Sequence, residues 1–146
     1  MVLRVVVDTN IYFSALYSKT GNEAEILRNA HQGMIALFSP KMVQEELKCV
    51  LQEKLDFQKE EIVMIINSLP TKWVPNEVYR KDFPQARQII PHKIDAPILA
   101  CALHFDIGIL TGNVTHFKIP PIEEKVKIWS SQELLQALNK NDDYHP

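Results

Sequence analysis

Glycine is scarce in this chain of 146 residues, with four in all. None of them builds a phosphate-cradling loop: neither a Walker motif nor Gly-x-Gly-x-x-Gly is present. Cysteine is scarcer still. Cys49 and Cys101 lie far apart, match no metal or redox spacing and fall in helix-like patterns, which fits free thiols in a reducing cytoplasm. No Ser or Cys occupies a Gly-flanked strand-to-helix elbow. A phosphoaspartate-forming phosphatase would carry a second Asp two residues after Asp8, where this chain has Asn10. No apolar run approaches membrane-spanning length, and the first residues hold no apolar segment with a small-residue cleavage site. We therefore expect a cytoplasmic protein with no membrane partner. An excess of one charge is missing too: 16 Lys and Arg face 18 Asp and Glu, a net charge of -2. That excludes a large basic footprint for nucleic acid, so metal ions and a local basic patch would have to draw such a substrate in.

What is present is an ordinary globular composition, 46% hydrophobic and 23% charged, in a length typical of one domain. We expect that domain over 1–138 and a polar tail over 139–146. The most informative stretch is the first. Val5, Val6 and Val7 are β-branched and unbroken by polar residues, as in a strand buried on both faces of a parallel sheet. The run stops at Asp8. In open α/β sheets ligands bind at the carboxyl ends of strands, although an Asp here also suits a plain turn or cap. Thr9 and Asn10 are placed to cap a helix over 11–16.

A helix is expected over 22–32, with Ala24, Leu27 and Ala30 inward, Ile26 at the edge of that face and Gly33 as its stop. A strand over 34–38 follows. Ser39 then serves as cap and Pro40 as first residue of a helix reaching about residue 55. Its apolar stripe is Val43, Leu47, Val50 and Leu51. At about 100° per residue, Glu46 falls roughly 60° from Val43, at the stripe's edge, and Glu45 falls on the opposite side. A carboxylate beside a buried face needs a metal or a basic partner. Helices over 58–69, 96–104 and 132–138, the last two capped by Asp95 and Ser131, alternate with strands at 73–74, 107–110 and 126–129. Such alternation predicts an α/β three-layer sandwich with a central parallel sheet.

The densest basic stretch is 76–93, where Pro84 and Pro91 confine any helix to the piece between them. Because it precedes Asp95, its residues Arg80, Lys81, Arg87 and Lys93 are candidates for RNA-backbone contact, against the plainer reading of a solvated face. Glu77 is spaced to pair with Arg80 or Lys81 on a helix; Arg87 and Lys93 have no such acid.

Asp8 and Asn113 both follow predicted strands, Asp95 opens a helix and Glu46 lies in one. A parallel sheet brings such ends to one edge. Three carboxylates converging there do not easily all stay charged unless a cation joins them. Hard oxygen donors that leave room for water suit Mg²⁺ or Mn²⁺.

Four segments carry a family resemblance: VVVDTNIYFSAL at the start, SPKMVQEELKCVL around Glu46, KIDAPILACAL at Asp95 and GILTGNVTHF at Asn113. In this order and spacing the chain resembles the PIN domain family, and most of all its bacterial and archaeal toxin–antitoxin group. The resemblance implies a PIN-like fold and a metal-dependent endoribonuclease that hydrolyses RNA phosphodiester bonds with Mg²⁺ or Mn²⁺, often homodimeric and often held by a small antitoxin. It implies Asp8, Glu46 and Asp95 as the acidic, catalytic metal ligands, with Asn113 completing the set, Asn10 as a polar neighbour and Thr111 as a hydroxyl beside the site. One departure stands out. The family's fourth acid falls at positions held here by Asn113 and His116. Asn offers an oxygen without a charge, which weakens the case for a second metal. His116 suits either a phosphate or metal contact or a plain surface or capping role. The alternative is a non-catalytic PIN-like RNA-binding or assembly module with weak metal affinity.

Overall fold

Five short strands form one parallel sheet: β1 (Leu3–Val7), β2 (Ile35–Pro40), β3 (Thr71–Val74), β4 (Gly108–Leu110) and β5 (Ile128–Trp129). The structure, a computed structural model, describes residues 2–142. The strand order is β3-β2-β1-β4-β5, with every neighbouring pair parallel. β1 is central, and Val5, Val6 and Val7 have no exposed surface, as a strand covered on both faces requires. The chain runs from β1 outward to β2 and β3, then crosses to β4 and β5 on the other side. That reversal leaves a crevice at the carboxyl ends of β1 and β4, where ligands bind in open α/β sheets. Asp8 follows one of these strands and Thr111 the other.

Helices α1 (Thr9–Tyr17) and α2 (Asn22–His31) join β1 to β2; α3 (Lys41–Leu55) and α4 (Lys59–Ser68) join β2 to β3. The basic stretch folds as α5 (Asn76–Tyr79), a 3-10 turn (Arg80–Asp82) and α6 (Phe83–Ile89), and a second 3-10 turn (Lys93–Asp95) leads into α7 (Ala96–Phe105). Then come α8 (Val114–Phe117), α9 (Pro120–Glu123) and, after β5, α10 (Ser131–Asp142). α7 lies across β1, β2 and β4. Its buried Ala96, Ala100, Cys101 and Ala102 are small enough to bring the helix close to the sheet. α1 packs on α2 and α3, and α10 on α2. Helices flank the parallel sheet, which is the expected α/β sandwich. Among the described residues no helix is long and apolar enough to cross a membrane. Both cysteines are free, Cys49 exposed and Cys101 buried.

α2 stops at Gly33, at φ 77°, as expected; with so few glycines, other helices end otherwise. α3 and α7 close on Asp56 and Asp106 in the left-handed conformation, at φ 55° and 54°, which Asp tolerates better than most side chains.

Several local expectations change. β2 runs through Ser39 and Pro40, so Pro40 rather than Ser39 occupies the cap position of α3. The Ser39 hydroxyl turns into the core, donating to Val7 O at 2.7 Å and meeting the Tyr12 hydroxyl at 2.8 Å. Having one proton to give, Ser39 must accept from Tyr12, so Tyr12 in turn accepts from the Thr71 hydroxyl 2.8 Å away. Ile26 is fully buried rather than at an edge, because α10 covers α2. α1 begins at Thr9 with Asp8 as its cap, in place of Thr9 and Asn10. Ser130, not Ser131, caps α10, exchanging hydrogen bonds with Glu133 at 3.1 and 3.2 Å. α10 continues through Asp142 into the segment expected as a tail; residues 143–146 lie outside the described residues.

Candidate functional site

Asp8 is held by both strand ends that meet at the crevice. Its N–H donates to Leu110 O at 3.0 Å, extending the β1–β4 pairing. Its Oδ1 caps α1 by accepting from the Thr9 N–H at 2.8 Å. Its Oδ2 accepts from the Thr111 hydroxyl at 2.9 Å and from the Asn10 amide at 3.4 Å. The Thr111 oxygen accepts from the Asn113 N–H at 2.9 Å, and Asn10 Oδ1 accepts from the Gly112 N–H at 2.9 Å. The turn after β4 is thus laced to the turn after β1. Gly112 suits this approach, because a Cβ there would stand 3.1 Å from Asn10 Oδ1. Asp8 is therefore a helix cap and a cavity group at once.

Asp8, Glu46, Asp95 and Asn113 line one cavity of about 220 Å³, with Asn10 on its wall. Thr111 lies beneath, 1% exposed. Glu46 reaches the cavity from α3, whereas Glu45 turns outward to an ion pair with Lys48 at 3.3 Å, as the helical angles require. Asp95 stands at the cap position of α7, yet its side chain makes no capping bond. Its Oδ2 is buried without a hydrogen bond; His116 Nδ1, 3.5 Å away, does not complete one. The His116 ring stacks on His92, centroids 4.0 Å apart. Among the described residues the one other buried side-chain oxygen or nitrogen without a partner is Thr9 Oγ1, and Thr9 lines the same cavity. Buried polar atoms nearly always have partners. Two orphans at one acidic cavity mark a place for water, a cation or substrate oxygen.

The charges bear this out. Burial pushes the Asp8 carboxyl above its ordinary value and the Asp95 charge adds to it; hydrogen bonds from Thr111, Thr9 and Asn10 oppose the rise without cancelling it. Glu46 is raised as well, first by partial burial and then by the charges of Asp8 and Asp95. The Thr9 hydroxyl pulls Glu46 the other way without completing a hydrogen bond. Because Glu46 is exposed at the rim, solvent screens its share most. Among the described residues, no three His, Cys, Asp or Glu side chains stand as a ready-made metal site. The three acids share a cavity without closing on a point. Carboxylate oxygens, the orphan Asp95 Oδ2 among them, with an amide oxygen and the orphan Thr9 hydroxyl, nonetheless make a donor set that fits Mg²⁺ or Mn²⁺.

The four expected RNA contacts do not gather here: none of Arg80, Lys81, Arg87 and Lys93 lines this cavity. Arg80 lines a separate, largely apolar cavity with Met42, Tyr79 and Phe83. Arg87 lies over the Phe83 ring, 5.8 Å from its centroid. The Lys93 amine donates to the Arg87 and Ile90 carbonyls at the end of α6. Lys81 is exposed. Among the described residues Glu77 pairs with neither Arg80 nor Lys81, since α5 ends between them and tightens into a 3-10 turn. The cation that does line the acidic cavity is Lys54, with Phe13 and Val50. None of these was in the expected set. The signal for two of them lay in the spacing, since Glu46, Val50 and Lys54 follow one another four residues apart on α3.

A family model described as a PIN domain matches residues 6–139. Among solved structures, the chain is similar to a toxin–antitoxin complex from Klebsiella pneumoniae, with 16% identity, a TM-score of 0.64, and 87% of this chain and 97% of that chain covered. It is also similar to VapBC2 from Rickettsia felis bound to a DNA fragment from its promoter, with 19% identity, a TM-score of 0.59, and 87% and 99% covered. At these identities the likeness speaks for the fold. No curated protein matches.

Proposed function

The chain belongs to the PIN domain family, and from that premise we propose that it is a metal-dependent endoribonuclease, the toxin of a toxin–antitoxin pair, which hydrolyses RNA phosphodiester bonds. The observation that carries the reading is that Thr9 Oγ1 and Asp95 Oδ2, buried without partners, belong to one cavity with Asp8, Glu46 and Asn113. PIN domains are in general nucleases. One similar structure is a toxin–antitoxin complex, which supports a small antitoxin protein as partner. A homodimer in the cytoplasm completes the proposal.

Asp8, Glu46 and Asp95 would hold Mg²⁺ or Mn²⁺, with the Asn113 amide oxygen as a neutral fourth donor. When bound, the ion supplies a lowered water pKa and Lewis-acid stabilisation of charge on the phosphate. The chain's own groups do the rest. The Thr9 N–H and the Thr111 hydroxyl fix both oxygens of Asp8, so its carboxylate is oriented in advance. Asn10, tied to the Gly112 N–H, steadies the turn that carries Asn113. The Thr9 hydroxyl offers a donor to a water or a phosphate oxygen in the cavity. The Lys54 ammonium offers a charge-assisted bond to phosphate.

The second reading, a non-catalytic RNA-binding or assembly module, is favoured by the neutral Asn113 and by the acids' failure to form a ready-made site. One experiment separates the two: incubation with single-stranded RNA across a Mn²⁺ titration, comparing the wild type with Asp95→Asn. We expect Mn²⁺-dependent cleavage that falls on the order of 100-fold in the variant. RNA that is bound and left intact at every Mn²⁺ concentration establishes the non-catalytic module.

A further inference from the structure

We propose that Tyr17, backed by Phe13, is the stacking platform for a base beside the scissile phosphate, while Lys54 holds an adjoining phosphate; this rests on the ribonuclease reading and deepens it. Asn10, Phe13 and Tyr17 follow one another at spacings of three and four on α1, which puts them on one side of that helix. Glu46, Val50 and Lys54 do the same on α3. The two helices pack on each other, and Asn10 and Phe13 from α1 with Glu46, Val50 and Lys54 from α3 line the acidic cavity. Along α3 Val50 and then Lys54 follow Glu46, and along α1 Phe13 and then Tyr17 follow Asn10, each about one turn further on. From Asn10 to Tyr17 the helix rises roughly 10 Å, which leaves room for a base next to the acids.

Two features of this arrangement point to a nucleic acid. Phe13 and Tyr17 stack, with centroids 6.0 Å apart and planes 21° from parallel, and Lys54 Nζ lies 5.6 Å from the Phe13 centroid. Tyr17 is 72% exposed: one face of its ring rests on Phe13, which lines the cavity, and the rest of it is open to solvent. Aromatic side chains beside a cation are the usual platform for unpaired bases: every base has a π-face, and the cation meets the backbone. A duplex buries those faces in its own stack, whereas a single strand presents them. A protein partner would value the rings but has no need of a lysine within the acidic cavity. Lys54 also supplies the local positive charge that an acidic chain requires, which the 80–93 stretch does not bring to this cavity.

The test is fluorescence anisotropy in Ca²⁺, an oxygen-liganded cation that separates binding from cleavage. The probes are a short single-stranded RNA, the same strand with abasic positions, and its duplex. We expect the wild type to bind the intact strand about tenfold or more tighter than either control. Tyr17→Leu and Phe13→Leu should each diminish that preference. Lys54→Gln should weaken the intact and the abasic strand alike and reduce the salt slope by about one. Phe13 is partly buried, so its variant is checked by melting; Tyr17 is exposed and carries the test alone if Phe13→Leu fails to fold. Equal wild-type affinity for intact and abasic strands, no binding of either, or a preference untouched by Tyr17→Leu overturns the proposal and leaves the rings to a protein partner. A wild type that keeps the base preference yet cleaves nothing in Mn²⁺ overturns the ribonuclease reading instead.

Discussion

Thr111→Val tests whether the two strand ends are held together through an ionised Asp8. The substitution keeps the shape of a side chain that is 1% exposed and removes a hydroxyl that donates to Asp8 Oδ2 at 2.9 Å and accepts from the Asn113 N–H at 2.9 Å. A hydrogen bond to a charged partner contributes about 1.5–3 kcal/mol and a neutral one about 1 kcal/mol. Asn113 is exposed, so its N–H finds water and its loss counts for little. The added methyl group returns up to roughly 0.8 kcal/mol by burial. The metal-free variant should therefore lose about 1–2 kcal/mol at neutral pH, a fall in Tm of roughly 2–8 °C for a chain of this size.

The pH dependence is the sharper part of that prediction. Burial, and then the Asp95 charge, hold the Asp8 pKa in the fold above its ordinary 3.8. Such a group contributes stability that is fully present below 3.8 and lost as pH rises through the folded pKa. Without the Thr111 donor the folded pKa climbs further, so the variant goes on losing stability after the wild type has stopped. The two proteins should be close near pH 4 and separate as pH rises beyond the wild-type Asp8 pKa. Urea unfolding in EDTA at several pH values measures the gap. A gap that is constant across pH would show that the hydroxyl does not bond an ionised Asp8; no gap at pH 7 would remove the lacing altogether.

Two further predictions concern the metal. At a Mn²⁺ concentration 100-fold above its Kd, the wild type should gain about 2.7 kcal/mol. That gain should shrink in Glu46→Gln and persist in Glu45→Gln, whose exposed pair with Lys48 contributes well under about 1 kcal/mol; equal gains in thermal melts would unseat Glu46. Asn113→Asp adds a fourth carboxylate, so the apo protein should melt lower while half-maximal stabilisation needs less Mn²⁺. If neither quantity moves, the Asn113 side chain takes no part in binding.

The sheet was legible because its signal is local. A β-branched run without a polar break, such as Val5 to Val7, has few places to go other than between two covered faces. Three acids and Asn113 could be placed for a related reason: each sits where a regular element begins or ends, or, for Glu46, at a fixed angle from an apolar stripe. The caps resisted for the opposite reason. Ser39-Pro40 has the local chemistry of a helix start, but Tyr12 and Val7, 27 and 32 residues away in the chain, claim the Ser39 hydroxyl and draw β2 on by two residues. α5, α8 and α9 span four residues each, too few to show a period.

That the basic stretch does not line the acidic cavity has the most general cause. Density of charge along a chain says little about charge at a site when the chain turns often. Between residues 76 and 93 it passes through α5, a 3-10 turn and α6, and each change of axis points the next side chain elsewhere. The fold then takes two of the four cations for itself: Arg87 over Phe83, and Lys93 on the carbonyls that close α6. Lys54 is isolated in sequence from that cluster, yet it stands two turns beyond Glu46 on a continuous helix, and continuity preserves direction. A helix that delivers one ligand to a cleft delivers its neighbours at four-residue steps to the same wall. Followed from Glu46, those steps reach Val50 and Lys54; followed from Asn10, steps of three and four reach Phe13 and Tyr17. Glu46, Lys54 and Phe13 share one cavity because only two helices, α3 and α1, had to be aimed at it to deliver them.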